Sequence, residues 1–279
     1  SGKEVVLSLN ESMIQRVEVL RKRGVPPCLA IVRVGERSDD IAYETGAVKR
    51  CEKAGVAVER FQLPETASQT ELLDVINRMN RDDSIHGCLL FRPLPKHFDD
   101  EVVRNALLPE KDVDGITDGA MAGLYAGTGQ GFPPCTPVAC MEILDYYGVE
   151  TTGKRAVVIG RSLVVGKPTA MMLIQRNATV TVCHTKTVDM PAICREAEIL
   201  IVAAGRAGIV GKDYFSARQT VIDVGIHVDE NGSLCGDVKF AAAEPIVGAI
   251  TPVPGGVGTV TTSVLVKHVI EAAERKQRR

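Results

Sequence analysis

Residues 155–168 read RAVVIGRSLVVGKP, and this stretch gives the clearest indication of the fold. Arg155–Ile159 is a short apolar run of the kind that forms a buried strand, and Gly160 ends it. Gly166 lies six residues further on, where a helical pattern begins. Glycines at a strand-to-helix turn let the backbone approach a pyrophosphate, and the helix N-terminus supplies free N–H groups. Ser162 replaces the second glycine of G-x-G-x-x-G, so a tight turn without a ligand remains an alternative.

The next strand bears on which dinucleotide such a turn would hold. NAD-binding folds often place an acidic residue about 20 residues after the turn, where it binds the ribose 2′-hydroxyl. Here the strand predicted at Thr179–Cys183 is followed by HTKT at residues 184–187, which contains no carboxylate. Its hydroxyl and cationic groups, with Arg161 in the turn, suit a 2′-phosphate and favour NADP over NAD. A solvated strand end is the alternative.

Two later strand ends carry small residues. AAGR at residues 203–206 and DVGI at residues 223–226 each follow a predicted strand. Ligands of doubly wound sheets bind outside the carboxyl ends of the strands, where small residues leave room for a ribose or a nicotinamide. Ordinary loop chemistry is the alternative at each position taken alone.

The first half of the chain alternates apolar runs with helical patterns. Strands are predicted at 28–34, 58–63 and 86–91, and helices at 10–24, 38–54 and 69–81. The order βαβαβ implies a parallel sheet covered by helices. Residues 109–137 are rich in Gly and Pro, and we expect them to form a long, rigid loop that connects two domains.

The second half repeats the alternation. Its predicted helices are 138–147, 167–176 and 260–276, and its predicted strands are 155–159, 179–183, 199–203 and 220–224. Residues 249–252 lead into the PVPGGVG stretch. The last helix is followed or ended by basic residues at 275, 276, 278 and 279. We therefore predict an α/β fold with two αβ domains around a cleft, the second a Rossmann-type doubly wound parallel sheet.

Composition argues against several classes of function. The 279 residues carry a net charge of −2, 4% aromatic residues and no Trp, which argues against a nucleic-acid-binding surface. No apolar run reaches the length of a membrane span. The eight cysteines include no C-x-x-C pair, and Asp112 and Asp114 alone are weak evidence for a cation, so no metal site is expected. We expect free thiols in a reducing cytoplasm.

Seven stretches occur in an order that resembles one family. They are GCLLFRPLP (87–95), PEKDVDG (109–115), PPCTP (133–137), VIGRSLVVGKP (158–168), ATVTVCHTKT (178–187), DVGI (223–226) and TPVPGGVG (251–258). Together they resemble the methylenetetrahydrofolate dehydrogenase/methenyltetrahydrofolate cyclohydrolase (FolD) family over nearly the whole chain. The family's reactions are hydride transfer from 5,10-methylenetetrahydrofolate to NAD(P)⁺ and hydrolysis of the methenyl product to 10-formyltetrahydrofolate.

The resemblance implies a domain organisation and a set of site residues. Residues 1–137, completed by a C-terminal helix at 259–279, would bind tetrahydrofolate derivatives, residues 138–258 would bind NAD(P), and the protein would be a homodimer. Tyr43, stacked on the aminobenzoyl ring, and Asp114, hydrogen-bonded to the pterin, would be catalytic. The folate-binding residues would be Tyr43, Phe91, Arg92, Asp114, Pro252, Gly255 and Gly256. The cofactor-binding residues would be Gly160, Arg161, Ser162, Val165, Thr185, Ala204, Gly205 and Ile226.

Two positions depart from the family pattern. The family's Tyr-x-x-x-Lys motif matches at Tyr43, but Ala47 stands at the lysine position, and Phe91 stands where the family has glutamine. Lys49 lies about 200° around the helix from Ala47 and is expected to face away from it. Arg50 could reach the same face, but a guanidinium is a poor base.

These departures affect the two reactions differently. Hydride transfer needs close packing and no general base, whereas hydrolysis needs proton transfer, for which a buried lysine is suited. Arg92 could partly replace the lost charge, bind the glutamate tail or be a surface residue. We therefore expect a dehydrogenase with weak or absent cyclohydrolase activity, served by a separate cyclohydrolase in the same cell. The alternatives are a bifunctional enzyme, an inactive folate- or nucleotide-binding protein, and an NADP oxidoreductase similar to shikimate dehydrogenase.

Overall fold

The structure, a computed structural model, describes residues 1–277, so Arg278 and Arg279 of the predicted basic C-terminus lie outside the described residues. The chain divides into two compact units. The first unit contains residues 7–135 and the segment from residue 262 onward, and the second unit contains residues 1–6 and 136–261.

Helices and strands alternate along most of the chain. The strands are β1 (Cys28–Val34), β2 (Ala57–Leu63), β3 (Gly87–Leu90), β4 (Arg155–Ile159), β5 (Thr179–Cys183), β6 (Ile199–Val202), β7 (Thr220–Asp223), β8 (His227–Val228), β9 (Leu234–Cys235) and β10 (Ala249–Ile250). The helices are α1 (Gly2–Lys22), α2 (Ser38–Ala54), α3 (Gln69–Arg81), α4 (Asp100–Ala106), α5 (Asp118–Ala126), α6 (Cys135–Tyr146), α7 (Gly166–Gln175), α8 (Met190–Arg195), α9 (Phe240–Ala243) and α10 (Val257–Gln277), with a 3₁₀ turn at Lys212–Tyr214.

A three-stranded parallel sheet with the order β2-β1-β3 forms the centre of the first unit. β1 is buried along its whole length, and its alternate side chains Ala30, Val32 and Val34 share one apolar core with α3. The buried residues of α3, among them Leu72 and Ile76, recur at helical spacing on one face. The predicted parallel sheet covered by helices is therefore confirmed.

The second unit contains a five-stranded parallel sheet with the order β10-β7-β6-β4-β5. This is a doubly wound order, and the direction of winding reverses between β4 and β6. Ligands of such sheets bind at the carboxyl ends of the strands on either side of the reversal. Gly160 follows β4 and Ala203 follows β6 at this point, and the prediction of a Rossmann-type sheet is confirmed.

The bounds of α2, α3, β1, β4 and β5 agree with the sequence-based predictions. α1 begins at Gly2, eight residues before the predicted start at residue 10. The segment that the pattern missed contains Val5 and Val6, both buried. α4 was not predicted; the carboxylate of Asp99 caps it by accepting the N–H groups of Glu101 and Val102.

The prediction of a single long loop at 109–137 was wrong. Residues 118–126 form α5, and α6 begins at Cys135 rather than at Val138. Two glycines in α5 disfavour a helix, so the sequence pattern does not predict one. Both glycines allow close packing. A Cβ on Gly123 would overlap the carbonyl oxygen of Gln130, and one on Gly119 would lie 2.6 Å from Cγ of Pro109. Glycine is therefore used here for close approach and not as a helix breaker.

None of the helices described within residues 1–277 is both long and apolar enough to cross a membrane. All eight cysteines have free thiols, as predicted.

Candidate active site

The turn after β4 brings two strands and a helix of the second unit into close contact. Gly160 has φ of +124°, and a Cβ at this position would overlap the carbonyl oxygen of Ala203 at the end of β6. A Cβ on Gly166, the first residue of α7, would overlap the carbonyl oxygen of Gly160. Both positions therefore require glycine. The N-terminus of α7 lies at the carboxyl edge of the sheet, where the positive end of the helix dipole suits a phosphate.

Ser162 forms hydrogen bonds within this turn, whereas Arg161 extends its charge at the surface. The Oγ of Ser162 accepts the backbone N–H groups of Val165 at 3.1 Å and Gly166 at 3.3 Å. Ser162 therefore does for the turn what a capping residue does for a helix. Arg161 is exposed, so its charge lies at the surface beside the turn.

A second turn follows β5. The N–H of Thr187 donates to the carbonyl oxygen of His184 at 2.8 Å, and the N–H of His184 donates to Oγ1 of Thr187 at 2.9 Å. Thr185 and Lys186 lie between these anchors and are exposed. The turn thus presents a hydroxyl and an ammonium group where NAD-specific folds present a carboxylate.

The segment after β6 has its amide groups directed into the protein. The N–H groups of Ala204 and Gly205 donate to Oδ2 of Asp237 at 2.7 and 3.0 Å. Both residues were predicted to contact the cofactor, and any such contact has to use atoms other than these two N–H groups. Sequence reasoning missed Asp237, which lies 32 residues after Gly205 in the chain.

A cavity of about 210 Å³ lies at the carboxyl end of β7. Its walls are residues 223–226, Leu234 and residues 252–259. The cavity brings Ile226, predicted to contact the cofactor, together with Pro252, Gly255 and Gly256, predicted to contact the folate. A Cβ on Gly258 would lie 2.7 Å from Cδ1 of Ile226, so the isoleucine packs directly on the backbone of this loop.

The first unit contains a cluster around Tyr43 of α2. The rings of Tyr43 and Phe91 make an edge-to-face contact, with centroids 5.9 Å apart and planes at 83°. Burial, together with the nearby charge of Asp114, raises the pKa of the Tyr43 phenol above its usual value. The phenol therefore stays protonated and is a hydrogen-bond donor at neutral pH.

Asp114 lies in the same cluster. Gly115, with φ of +67°, passes so close to Pro133 and Pro134 that a Cβ would lie 2.5 Å from the nitrogen of Pro134. This close passage brings Asp114 next to Cys135, whose thiol donates to the carbonyl oxygen of Val113 at 3.3 Å. Burial raises the pKa of Asp114 to about 6, the charge of Asp112 adds to the rise, and the contacts with Cys135 oppose it.

The two aspartates of the PEKDVDG stretch thus have different roles. Asp112 is fully buried and accepts the N–H groups of Ile116 at 3.0 Å and Thr117 at 2.7 Å, so it fixes the loop. Asp114 lies close enough to Tyr43 for its charge to raise the pKa of the phenol. Among residues 1–277, no group of three or more His, Cys, Asp or Glu side chains is placed to hold a metal ion.

Arg92 forms a two-pronged ion pair with Asp100, the first residue of α4. Its Nε donates to Oδ1 of Asp100 at 2.6 Å. The carboxylate largely neutralises the guanidinium, which weakens the idea that Arg92 replaces the missing lysine charge. Its charge still lowers the pKa of Asp114 slightly, as the last of the influences on that carboxyl.

Ala47, where the resemblance implies a lysine in the family, is inaccessible to solvent. Ala47 is fully buried one turn after Tyr43, whereas Lys49 is exposed, as predicted. On the same helix face Glu44 is buried and forms an ion pair with Arg33 of β1, 2.9 Å from Nε to Oε2. Sequence reasoning missed this pair.

The buried ion pair and the aromatic pair belong to one face of the sheet. Val32 of β1 is in register with Leu90 of β3, and the N–H of Phe91 donates to the carbonyl oxygen of Val32. The next residues, Arg33 and Phe91, therefore project to the same side. One contacts Glu44 and the other contacts Tyr43, which are neighbours in α2.

Comparison with known families gives two matches in chain order. Residues 1–114 match the catalytic domain of the tetrahydrofolate dehydrogenase/cyclohydrolase family, and residues 134–277 match its NAD(P)-binding domain. The chain is 49% identical over 273 residues to the Bifunctional protein FolD of Clostridioides difficile, with 98% of this chain and 95% of that protein covered.

Solved structures give the same result. The bifunctional enzyme FolD, methylenetetrahydrofolate dehydrogenase/cyclohydrolase, from Campylobacter jejuni superposes with a TM-score of 0.95 at 37% identity, covering 99% of this chain and 98% of that one. The Trypanosoma brucei methylenetetrahydrofolate dehydrogenase-cyclohydrolase, complexed with NADP cofactor and inhibitor, superposes with a TM-score of 0.92 at 34% identity, covering 100% and 98%.

Proposed function

Because the chain belongs to the tetrahydrofolate dehydrogenase/cyclohydrolase family, we propose that it oxidises 5,10-methylenetetrahydrofolate to 5,10-methenyltetrahydrofolate with NADP⁺ as hydride acceptor. One observation carries the proposal. The match to the catalytic domain contains the cluster of Tyr43 and Asp114, and the match to the NAD(P)-binding domain contains the glycine turn at the winding reversal of a parallel sheet.

The NAD(P)-binding match and the NADP bound to the Trypanosoma brucei relative support NADP as the cofactor. When bound, NADP⁺ supplies the acceptor for the hydride. Gly160 and Gly166 let β4, β6 and α7 pack closely, and the positive end of the α7 dipole would favour the charge of the pyrophosphate. Arg161 and Thr185 are exposed beside the turn and would contact the 2′-phosphate.

On the folate side we assign positioning roles to the first unit. Tyr43 would stack on the aminobenzoyl ring, and its contact with Phe91 holds the tyrosine ring at a fixed angle. Asp114 would hydrogen-bond the pterin. Hydride transfer moves one electron pair with its proton, and the cation that remains is stabilised by the folate's own nitrogens. This step needs orientation and no general base, so the loss of the family's lysine leaves it possible.

The second candidate activity is hydrolysis of the methenyl product. The expectation of weak or absent cyclohydrolase activity finds no support in the comparisons, and the names of the relatives fit the bifunctional alternative better. A separate cyclohydrolase is likewise not supported. If the protein hydrolyses methenyltetrahydrofolate, another group has to accept the proton of water in place of the lysine.

Asp114 is the group that we assign to this task. A carboxyl with a pKa of about 6 is mostly ionised at neutral pH and still close enough to it to exchange protons efficiently. Attack of water on the methenyl carbon would pass one proton to Asp114. When the carbon–nitrogen bond breaks, Asp114 would return this proton to the leaving folate nitrogen, and the hydroxyl of the tetrahedral intermediate would lose its own proton to solvent water as the formyl C=O of 10-formyltetrahydrofolate forms.

The test is one spectroscopic assay of the purified protein. 5,10-Methylenetetrahydrofolate and NADP⁺ are mixed with it, and reduced cofactor and methenyltetrahydrofolate are followed together. We expect reduced cofactor to accumulate while methenyltetrahydrofolate disappears faster than in an enzyme-free blank. Accumulation of both in step would contradict hydrolysis and leave the dehydrogenase standing. Binding of NADPH and folate without turnover would contradict both and favour the inactive binding protein.

A further inference from the structure

Two buried carboxylates organise the loops at the carboxyl edge of the second sheet. Asp223, the last residue of β7, is 3% exposed, and Asp237, which follows β9, is fully buried. Neither carboxylate has a role in the reactions described above. Buried carboxylates are costly unless they are well hydrogen-bonded, so their partners indicate what they are for.

Asp237 accepts hydrogen bonds from three consecutive backbone amides. Its Oδ2 accepts the N–H groups of Ala204 at 2.7 Å and Gly205 at 3.0 Å, and its Oδ1 accepts that of Arg206 at 2.8 Å. Nε2 of His227, at the start of β8, lies 2.7 Å from the same Oδ1. The carboxylate therefore joins the loop after β6 to the hairpin that begins after Ile226.

Asp223 holds the backbone of Asp237 in place through hydrogen bonds. Its Oδ1 accepts the N–H groups of Gly225 at 3.0 Å and Asp237 at 3.1 Å, and its Oδ2 accepts that of Val238 at 3.0 Å. A Cβ on Gly225 would lie 2.5 Å from Cγ of Asp237, and a Cβ on Gly236 would overlap Oδ2 of Asp223. Two glycines thus make room for the two carboxylates.

The direction of the amides decides what the loop after β6 offers to a ligand. In a trans peptide the carbonyl points opposite to the N–H. Since the N–H groups of Ala204 and Gly205 point at Asp237, the carbonyls of Ala203 and Ala204 point away from it. The carbonyl oxygen of Ala203 faces Gly160 in the phosphate turn, in agreement with this direction. Acceptor oxygens suit hydrogen-bond donors such as hydroxyls or a carboxamide, and they repel phosphate oxygens.

We propose that Asp237, held by Asp223 and His227, is a positioning residue that turns the carbonyls of the loop after β6 toward the hydroxyl- or carboxamide-bearing part of NADP. The inference rests on the proposed dehydrogenase function. Asp237 itself touches no substrate. It acts by fixing residues 204–206.

The experiment compares Asp237→Asn with Glu198→Gln. Glu198 is partly exposed, pairs with Lys154 and precedes β6 at the opposite edge of the sheet, so it controls for loss of a carboxylate in the same unit. The dissociation constant of NADPH is measured by the fluorescence of the bound nicotinamide. KM values for NADP⁺ and for 5,10-methylenetetrahydrofolate, kcat and thermal melting are measured on the same preparations.

We expect Asp237→Asn to raise the NADPH dissociation constant and the KM for NADP⁺ about tenfold or more, the size that loss of one charge-assisted hydrogen bond predicts. The KM for the folate should stay within about twofold, since this substrate does not depend on the loop in our proposal. A folded Asp237→Asn protein with unchanged NADPH binding would overturn the inference, and so would an equal rise of both KM values.

A second pair of variants covers the case in which Asp237→Asn does not fold. His227→Ala removes the donor to Asp237, and His227→Gln keeps an N–H donor at similar reach. The positioning role is supported if His227→Ala binds NADPH more weakly than the wild type and His227→Gln binds it as tightly as the wild type. NADPH binding at the wild-type level in both variants overturns it. If the wild-type protein binds no NADPH, both the proposed dehydrogenase function and this inference are wrong. If the wild-type protein turns over normally and the variants bind NADPH as tightly as it does, only this inference is wrong.

Discussion

Hydrolysis of methenyltetrahydrofolate by this protein should follow the ionisation of Asp114. With a pKa of about 6, roughly nine-tenths of this carboxyl is ionised at pH 7 and roughly one-tenth at pH 5. A rate that needs the carboxylate as proton acceptor should therefore fall about tenfold between these values. The assay follows loss of methenyltetrahydrofolate at saturating substrate from pH 5 to pH 8, after subtraction of the enzyme-free rate in the same buffer.

Asp114→Asn removes the proton acceptor and keeps the shape of the side chain. We expect it to lower the enzymatic hydrolysis rate by about 10²–10⁴-fold and to abolish the pH limb near 6. Asp83→Asn, at a carboxylate that pairs with Lys276 on the surface, is the control for a change of charge. An Asp114→Asn protein that keeps the limb, or a wild-type profile that is flat across this range, would refute the assignment.

Three further predictions concern the folate site, the phosphate turn and stability. Ala47→Lys should raise the ratio of hydrolysis to dehydrogenase activity by about tenfold or more, because it adds an amine base; Ala47→Met, similar in length without the amine, should not. Gly160→Ala should lower the free energy of unfolding, measured in urea, by at least about 1–2 kcal/mol, because of its φ and the overlap with Ala203. Gly153→Ala, also at positive φ but with open space around it, should cost less. Burial raises the pKa of Asp223 to about 6 from 3.8, so the folded state binds its proton more tightly than the unfolded state does. Its contribution to stability is full below pH 3.8 and is lost as the pH rises through 6, so the urea midpoint of the wild type relative to that of Asp223→Asn should fall over this window, and a relative rise would contradict the sign.

The elements that could be predicted from the sequence are those in which local pattern and tertiary burial agree. β1 is seven residues of nearly continuous apolar character and is buried throughout, and α3 has an apolar stripe at helical spacing. α5 could not be predicted in this way. Its two glycines are unfavourable for a helix by themselves, and they are explained only by the backbone and the proline that press against the helix in the folded unit.

The sequence predicts those parts of the site whose residues are close together in the chain. The glycine turn at 160–166 is one continuous stretch, and its strand–turn–helix geometry follows from it. The partners of Asp237 are 10 and more residues away, in segments whose meeting depends on the sheet order. The Arg33–Glu44 pair was missed for the same reason, since an arginine in a strand does not reveal which helix will cover it.

Asp114 and Asp223 show why a shifted pKa does not identify a catalytic carboxyl. Burial raises the pKa of both to about 6. A carboxylate has about four acceptor positions. Asp223 uses three of them for the amides of Gly225, Asp237 and Val238, which fixes its place in the loop and leaves little room for a reactant. The contacts that lower the pKa of Asp114 come mainly from one residue, Cys135. Asp114 therefore retains acceptor positions for water or pterin, and on this ground we assign proton transfer to Asp114 and loop positioning to Asp223.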